Sequence, residues 1–226
     1  KIAGDKTNWK TDLSGGIQRA AIKHGCAPFG NAKARCVVWN FPDPVPIHRE
    51  PLYTPRRDLV ADYPTYPDTR RYRTPTYYKS IQDKDFSKEF PIIMTSGRVT
   101  DYEGGGDLTR ANPWLAELNQ EMYCEINPYD ANNADIRNGR DMWVEGPEGG
   151  KIKVKAMVPE RVARGVVWMP LSFGGEWEGK SLRDKYPKGA DPYVLGASAN
   201  AVFTYGYDSV TQMQETKTSL CRVRPA

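Results

Sequence analysis

A glycine-rich loop beside an arginine is the part of this sequence whose residue types are best suited to chemistry. The apolar residues 91–94 predict a short buried strand, and serine, glycine and arginine follow directly at 96–98, with three glycines at 104–106. The backbone N–H groups of such a loop, together with one guanidinium, can cradle a phosphate or a similar anion. The pattern therefore predicts an anion or cofactor site, although a lone glycine-rich loop is a weak signal.

Signatures of complete catalytic sites are absent from the sequence. The glycine run lacks both the G-K-[ST] ending of a P-loop and the G-x-G-x-x-G spacing of a dinucleotide fold. Neither His24 nor His48 lies in a motif that would pair it with a nucleophile, and no two carboxylates are marked as an acid/base pair. We therefore expect no catalytic residue and no metal ligand in this chain, which is predicted to bind something anionic and heteroaromatic.

A second polar segment lies near the end of the chain. It carries Asn200, Gln212, Glu215 and Lys217 ahead of an apolar run at 219–223. Side-chain amides can present a donor and an acceptor together to the edge of a heterocycle, and lysine supplies a point charge for a phosphate. An ordinary polar loop is the alternative interpretation of these residues.

Short strands and short helices dominate the chain after residue 91. Residues 142–145 and 151–158 predict a hairpin whose second arm alternates lysine with aliphatic residues, and residues 166–170 predict another buried strand. Asn127 before Pro128 predicts a capped helix, and residues 112–118 predict one or two helical turns. These elements indicate a mixed α/β, β-rich domain with a small closed or pseudo-barrel sheet.

Residues 41–91 differ in composition from the rest of the chain. They hold nine of the eighteen prolines, interleaved with tyrosines and arginines. Because prolines at this density exclude long helices and tyrosines favour amphipathic contacts, we expect an extended segment that wraps over another surface. A surface for single-stranded nucleic acid is the functional alternative. The predicted organisation is residues 1–90, with a short helix within 12–25 and the wrapping segment, followed by a domain at 91–226.

Composition limits the kinds of partner. The 226 residues are 39% hydrophobic and 27% charged, with a net charge of +4, and no apolar stretch approaches the roughly 18 residues of a membrane span. The basic residues form no block, so a nucleic-acid partner is not favoured. Because the chain begins at Lys1 without an initiator methionine, we expect a processed product, a fragment or one piece of a larger assembly.

The four cysteines do not have the spacing of a zinc or iron–sulfur site. Cys124 and Cys221 lie in strand-like runs and are predicted to be small buried hydrophobic residues. Cys26 and Cys36 could pair or stay free, so the cysteine count leaves the redox compartment open.

An ordered series of short motifs resembles the C-terminal, dinucleotide-binding domain of the dimethyl sulfoxide reductase family of molybdopterin oxidoreductases. Within that family the chain is most similar to the large subunit of respiratory formate dehydrogenases. The resemblance covers nearly the whole chain, including the earlier segments 15–18, 37–43 and 45–52. The motifs that carry it are SGR at 96–98, GGG at 104–106, NPWLAEL at 112–118, EINPYDA at 125–131, NG at 138–139, KIKVKA at 151–156, SFGG at 172–175, Asn200, and residues 211–217.

The resemblance implies a six-stranded double-psi β-barrel, preceded by the extended Pro/Tyr-rich segment, that closes over a bis(molybdopterin guanine dinucleotide) cofactor with molybdenum or tungsten. Many relatives have an aromatic residue and a histidine where this chain has Glu103, Gly104 and Gly105, so backbone N–H groups would make the contacts of this loop here. The cofactor-binding residues implied are Ser96, Gly97, Arg98, Tyr102, Gly104, Gly105, Asn200, Gln212, Glu215 and Lys217.

The resemblance also implies that the chain is catalytically incomplete. In the family, the metal ligand and the iron–sulfur cysteines belong to the N-terminal half, on which residues 1–90 would pack. The chain would then be the C-terminal part of a formate dehydrogenase catalytic subunit, which interconverts formate and carbon dioxide in anaerobic respiration. Another family member, such as a nitrate, thiosulfate or polysulfide reductase, is the nearest alternative. A non-catalytic interaction module that uses the Tyr/Pro/Arg segment is the alternative from another class.

Partners and location are implied by the same resemblance. The expected partners are the N-terminal catalytic half, an iron–sulfur electron-transfer subunit and a membrane cytochrome subunit, with formate as the substrate and no nucleic acid. The expected location is the periplasm, in a membrane-associated complex, with the cytoplasm as the alternative.

Overall fold

A computed structural model describes residues 48, 50–63, 84–203, 214 and 216–226 of the chain. Nine strands and two short α-helices lie within these residues. The strands are β1 (Ile92–Gly97), β2 (Tyr123–Ile126), β3 (Asp141–Glu145), β4 (Lys151–Met157), β5 (Val166–Pro170), β6 (Gly175–Trp177), β7 (Lys180–Ser181), β8 (Gly196–Ala197) and β9 (Ser219–Pro225), and the helices are α1 (Pro113–Leu118) and α2 (Pro128–Asn133).

Six of the strands close into a barrel in the order β1-β5-β2-β4-β3-β9. The pairs β1/β5 and β2/β4 are parallel, and the other pairs around the barrel are antiparallel. Closure leaves no free sheet edge, which suits a domain built from such short strands. The prediction of a six-stranded barrel is confirmed, whereas the double-psi connectivity stays a prediction.

Side-chain alternation fixes the inner face of the barrel. In β4 the aliphatic residues Ile152 and Val154 are buried, while the lysines that alternate with them point outward, as the sequence predicted. Cys124 and Cys221 are free, fully buried thiols in this core, which confirms their predicted role. Burial raises the pKa of both thiols.

An ion-paired carboxylate joins two barrel strands on the outside. Glu145 of β3 accepts hydrogen bonds from Arg222 at 2.6 Å and Arg224 at 2.9 Å, both on β9. Burial opposes the ionisation of Glu145, but the two guanidinium donors outweigh it and hold the pKa of this carboxyl below its ordinary value.

Both α-helices lie where the sequence predicted helical turns, and α2 begins at the predicted cap, Asn127. The Asn112 side chain accepts from the N–H groups of Trp114 and Leu115, and the Asn127 side chain accepts from that of Tyr129. Each helix has proline at its first position, where the missing N–H costs no hydrogen bond. No described helix combines the length and the apolar character that a membrane crossing requires.

A second, three-stranded sheet in the order β7-β6-β8 was not predicted. Its strands have only two or three residues each, too few for an alternation pattern to appear in the sequence. Gly196 of β8 packs so closely that a Cβ there would lie 2.7 Å from the Met122 side chain and 2.9 Å from that of Phe173. The small sheet therefore lies directly on the barrel.

The described part of residues 1–90 packs on the barrel. Tyr53 and Phe90 form a buried cluster with Leu220 of β9, and the Tyr53 hydroxyl donates to Glu148 at 2.8 Å. The predicted packing of this region on a partner half stays a prediction. The predicted helix within 12–25, and Cys26 and Cys36, lie outside the described residues.

Candidate functional site

Strand directions bring the predicted site segments to one end of the barrel. Because β1 and β5 are parallel and β1 and β9 are antiparallel, the loops after β1 and β5 lie beside the start of β9. The β3/β9 and β3/β4 registers place the turn between β3 and β4 at the same end. We call this end of the barrel, with residues 96–110, 171–175, 198–203 and 216–217, the loop end.

Hydrogen bonds tie the end of β1 to the residues before β9. The hydroxyl of Ser96 is buried and donates to the Thr216 carbonyl at 2.7 Å. The ammonium of Lys217 donates to the carbonyl oxygen of Ser96, and it lies 3.2 Å from the Ser96 hydroxyl oxygen. Two predicted site residues that are 121 positions apart are therefore in direct contact. Lys217 is an exposed residue and its ammonium has three donors, so with respect to the described residues one donor stays available for an anion.

Arg98 places a positive charge at this end that has no partner among the described residues. Its side chain is exposed, and the hydrogen bonds and ion pairs of the described residues do not include its guanidinium. An arginine with five free N–H donors is well suited to a phosphate, which it can bind through two parallel hydrogen bonds.

The position before Arg98 leaves little room for a side chain. A Cβ at Gly97 would lie 2.5 Å from the indole nitrogen of Trp168, on the neighbouring strand β5. The indole therefore covers the backbone of Gly97, and a larger residue would push the two strands apart.

The glycine loop presents free backbone donors. Gly104 has a φ of +33°. Among the described residues, the position where its side chain would stand is open, and the close atom at Gly105 belongs to Asp107. The N–H groups of Gly104 and Gly105 donate to no other group of the described residues. Ser172, in the loop after β5, donates to the Gly104 carbonyl at 3.3 Å and holds the loop in place.

Tyr102 lies in the core and not on the surface. Only 1% of its surface is exposed, its ring packs edge-on against Phe173 at 5.5 Å, and its hydroxyl donates to the Asn119 carbonyl. Burial raises the pKa of this hydroxyl above its ordinary value. Through these contacts with Phe173 and Asn119, Tyr102 attaches the glycine loop to the core.

Asn200 is exposed at the same end. It lies in a 3-10 helix, Ala199–Ala201, whose last carbonyl is in contact with Gly150 of the turn between β3 and β4. Gln212 and Glu215, the other two predicted residues, lie outside the described residues.

Arg110 is a positioning residue of the loop end that the sequence did not reveal. It is 7% exposed, and its guanidinium donates to the carbonyls of Gly106 at 3.1 Å, Gly174 at 2.9 Å and Val194 at 3.1 Å. Burial lowers the pKa of Arg110, but an arginine stays protonated at neutral pH. Its acceptors are up to 84 positions away in the chain, so no local signal could have identified them.

This donor set fits an anionic ligand. Within the part of the chain that the structure describes, a guanidinium, an ammonium and two N–H groups without a protein acceptor lie at one end of the barrel, and no side chain fills the space above Gly104. These are the groups that bind pyrophosphate and other anions in proteins. An exposed amide at Asn200 adds a donor and an acceptor for a heterocycle. The arrangement of these described residues is that of a binding site for an anion.

Comparison with known proteins gives formate dehydrogenase subunits among the relatives. The F420-dependent formate dehydrogenase subunit alpha of Methanocaldococcus jannaschii is 35% identical over 99 residues, which are 44% of this chain and 14% of that protein. The formate dehydrogenase 2 subunit alpha (cytochrome c-553) of Nitratidesulfovibrio vulgaris is 29% identical over 196 residues, which are 81% of this chain and 17% of that protein. The chain thus spans less than a fifth of the length of these two relatives.

A solved structure and a family model also match the chain. Acetylene hydratase from Pelobacter acetylenicus superposes with a TM-score of 0.49 at 17% identity, over 77% of this chain and 23% of that one. The family model described as the molydopterin dinucleotide binding domain matches residues 92–220, which include the whole barrel up to the start of β9. Since this match covers more than half of the sequence, the chain belongs to the family of molydopterin dinucleotide-binding domains.

Proposed function

We propose that this chain is the cofactor-binding, C-terminal portion of the catalytic subunit of a formate dehydrogenase that uses bis(molybdopterin guanine dinucleotide). The observation that carries the proposal is that Arg98, Lys217 and the free amides of Gly104 and Gly105 all lie at the loop end of a molydopterin dinucleotide-binding domain. The names of the relatives in M. jannaschii and N. vulgaris support formate as the substrate.

In this proposal the residues of the chain bind and orient the cofactor. Arg98 and the amides of Gly104 and Gly105 donate to phosphate oxygens, and Lys217 adds its remaining N–H donor while it holds the end of β1. Asn200 faces a heterocycle edge, with Gln212 and Glu215 as further polar contacts. When bound, the cofactor supplies the two-electron redox chemistry, at molybdenum or tungsten, that formate oxidation needs.

Tyr102 and Arg110 act indirectly. The buried Tyr102 supports the glycine loop, and Arg110 joins three segments of the loop end through their carbonyls. A site whose loops are held in this way loses little conformational entropy when the ligand binds. The chain thereby contributes orientation and exclusion of water, and the remaining part of the enzyme contributes the metal ligand and the iron–sulfur cluster.

The partners and location follow from the same proposal. The N-terminal catalytic half, an iron–sulfur subunit and a membrane cytochrome subunit would complete a periplasmic complex. The words "cytochrome c-553" in the name of the N. vulgaris relative support a separate electron carrier as one of the partners.

A different substrate on the same cofactor is the second candidate. The probable oxidoreductase YjgC of Bacillus subtilis is 28% identical over 49% of this chain, and its name specifies no substrate. The two candidates share the loop-end site and differ in the reaction that the complete enzyme performs.

The test is the cofactor content of the natively purified complete enzyme. We expect pterin fluorescence, guanine nucleotide and either molybdenum or tungsten, together with formate-dependent dye reduction. Absence of metal and pterin from a complete preparation would refute the cofactor site, whereas a full cofactor content without formate oxidation would favour the second candidate.

Two arginine variants sharpen this test. Arg98→Ala removes a charge-assisted contact worth about 1.5–3 kcal/mol, which corresponds to roughly ten- to hundredfold weaker retention of the cofactor. Arg137→Ala is the matched control, since Arg137 is also exposed but lies in the loop before β3, at the opposite end of the barrel. Equal pterin content in the two variants would contradict the assignment of Arg98.

A further inference from the structure

The outward side of helix α1 is apolar. Trp114 is 78% exposed and Leu118 is 70% exposed, and residues four positions apart lie on the same face of a helix. Leu108, which is 75% exposed, lies at the start of the short 3-10 turn that packs against α1. We call these three residues the α1 face. On the opposite side of the helix Ala116 is buried in the core, so α1 presents apolar side chains both to the core and to the surroundings.

Such a helix is unusual for a surface in contact with water. Surface helices normally place charged and polar residues outward, and clustered exposed aromatic and aliphatic side chains mark interaction sites. Tryptophan and leucine together offer a large anchor area for a partner. The α1 face is therefore an interaction surface that the described residues leave uncovered.

We infer that the α1 face docks the portion of the catalytic polypeptide that completes the cofactor site. This inference rests on the proposed function. The relatives of 29–35% identity match over only 14–17% of their own length, so more than four fifths of such a protein lies outside the matched region and needs surfaces to pack against.

The position of the α1 face favours this occupant. Arg110 lies three residues before α1, and its bonds to Gly174 and Val194 fix the segment to the loop end. Ligand sites normally enclose most of the ligand, whereas the loop end provides one wall with exposed donors. A polypeptide that closes the site over the glycine loop therefore meets the neighbouring α1 face.

Charge around the α1 face argues against a second copy of the chain. Asp107 and Glu117 are exposed beside it, and neither carboxylate has an ion pair among the described residues. A two-fold interface through this face would bring acidic rims together, which is unfavourable. The matching surface should be an apolar pocket with lysine or arginine at its edge.

Photo-crosslinking in the complete enzyme tests the docking. A benzophenone amino acid replaces Trp114, the enzyme is purified natively and irradiated, and the crosslinked peptides are identified by mass spectrometry. We expect crosslinks to sequence outside this chain. Crosslinks to a second copy of the chain, crosslinks to any other segment of this chain or the absence of crosslinks would each overturn the inference. The same amino acid at Tyr129, an exposed residue of α2 at the other end of the barrel, is the matched control.

A second measurement uses the enzyme without substitution. Hydroxyl-radical oxidation of Trp114 should be about tenfold slower than oxidation of an exposed tryptophan, because a docked anchor is shielded from water. Oxidation at the rate of an exposed tryptophan would contradict docking. Pterin content is measured in the same sample: a protected Trp114 without pterin refutes the proposed function alone, and an exposed Trp114 with pterin refutes the docking alone.

Discussion

Replacement of Arg110 by methionine should loosen the loop end without removing any predicted contact to the cofactor. Methionine keeps much of the buried apolar stem but has no donors for the three carbonyls that the guanidinium serves. Two of those carbonyls keep a backbone donor, because Arg110 N–H also donates to Gly106 and Gly196 N–H donates to Gly174. The carbonyl of Val194 loses the donor that it has among the described residues.

These contacts set the expected magnitude. A buried carbonyl without a donor costs about 1–3 kcal/mol, and each of the other two lost charged hydrogen bonds costs roughly 1.5 kcal/mol or more. Part of this loss is offset because the variant no longer has to desolvate a buried guanidinium. We therefore expect the free energy of unfolding to fall by about 2–4 kcal/mol. Because the three carbonyls belong to separate segments, local opening at 194–196 should increase even where the barrel stays folded.

Urea unfolding and hydrogen exchange measure the two effects. Wild type and Arg110→Met are compared at equal cofactor content, since a bound ligand adds its own stability. The amide of Gly196, which donates to Gly174, should exchange faster in the variant. Arg110→Lys keeps the charge but lacks the planar guanidinium, so its free energy of unfolding and its Gly196 exchange rate should lie between those of the wild type and Arg110→Met. A loss of stability within about 0.5 kcal/mol, with unchanged exchange at Gly196, would refute the positioning role of Arg110.

Three other predictions concern the barrel. Gly97→Ala should destabilise the barrel by roughly 1–3 kcal/mol because the new methyl group meets the Trp168 indole. Adding Trp168→Leu to this variant should restore part of the lost stability. Equal thermal midpoints for the wild type and Gly97→Ala would contradict the close contact. The pKa of Glu145 is lower in the folded protein than its unfolded value of 4.5. The ionised carboxylate therefore stabilises the fold above pH 4.5, and this stabilisation is lost as the pH falls through the folded pKa. Glu145→Gln should accordingly make the free energy of unfolding less dependent on pH in the acid range. Cys124 and Cys221 should react with iodoacetamide only after unfolding, as peptide mapping would show; labelling of the native protein would contradict their burial.

Elements with local signals could be predicted from the sequence. An asparagine followed by proline marks the start of both helices, because the side-chain cap and the missing N–H depend only on adjacent residues. The hairpin of β3 and β4 follows from the alternation of lysine with aliphatic residues around Gly149 and Gly150. The series of short strands indicated a closed or pseudo-barrel sheet, and the family resemblance then supplied its six strands, which no single segment specifies.

Features that depend on distant contacts could not be predicted. The sequence gives no reason for Arg110 to be buried, since its acceptors belong to loops that come together only when the barrel closes. The indole of Trp168 over Gly97 depends on the parallel register of β1 and β5. The family resemblance implies Tyr102 as a cofactor-binding residue, and no local signal indicates that its ring enters the core beside Phe173.

The most direct test of the account is an experimental structure of the natively purified enzyme with its pterin dinucleotide bound. We expect the guanidinium of Arg98 to lie within about 3 Å of a phosphate oxygen of the cofactor, in a charge-assisted hydrogen bond. A pterin dinucleotide bound elsewhere on the barrel, with Arg98 still facing solvent, would contradict the loop end as the cofactor site.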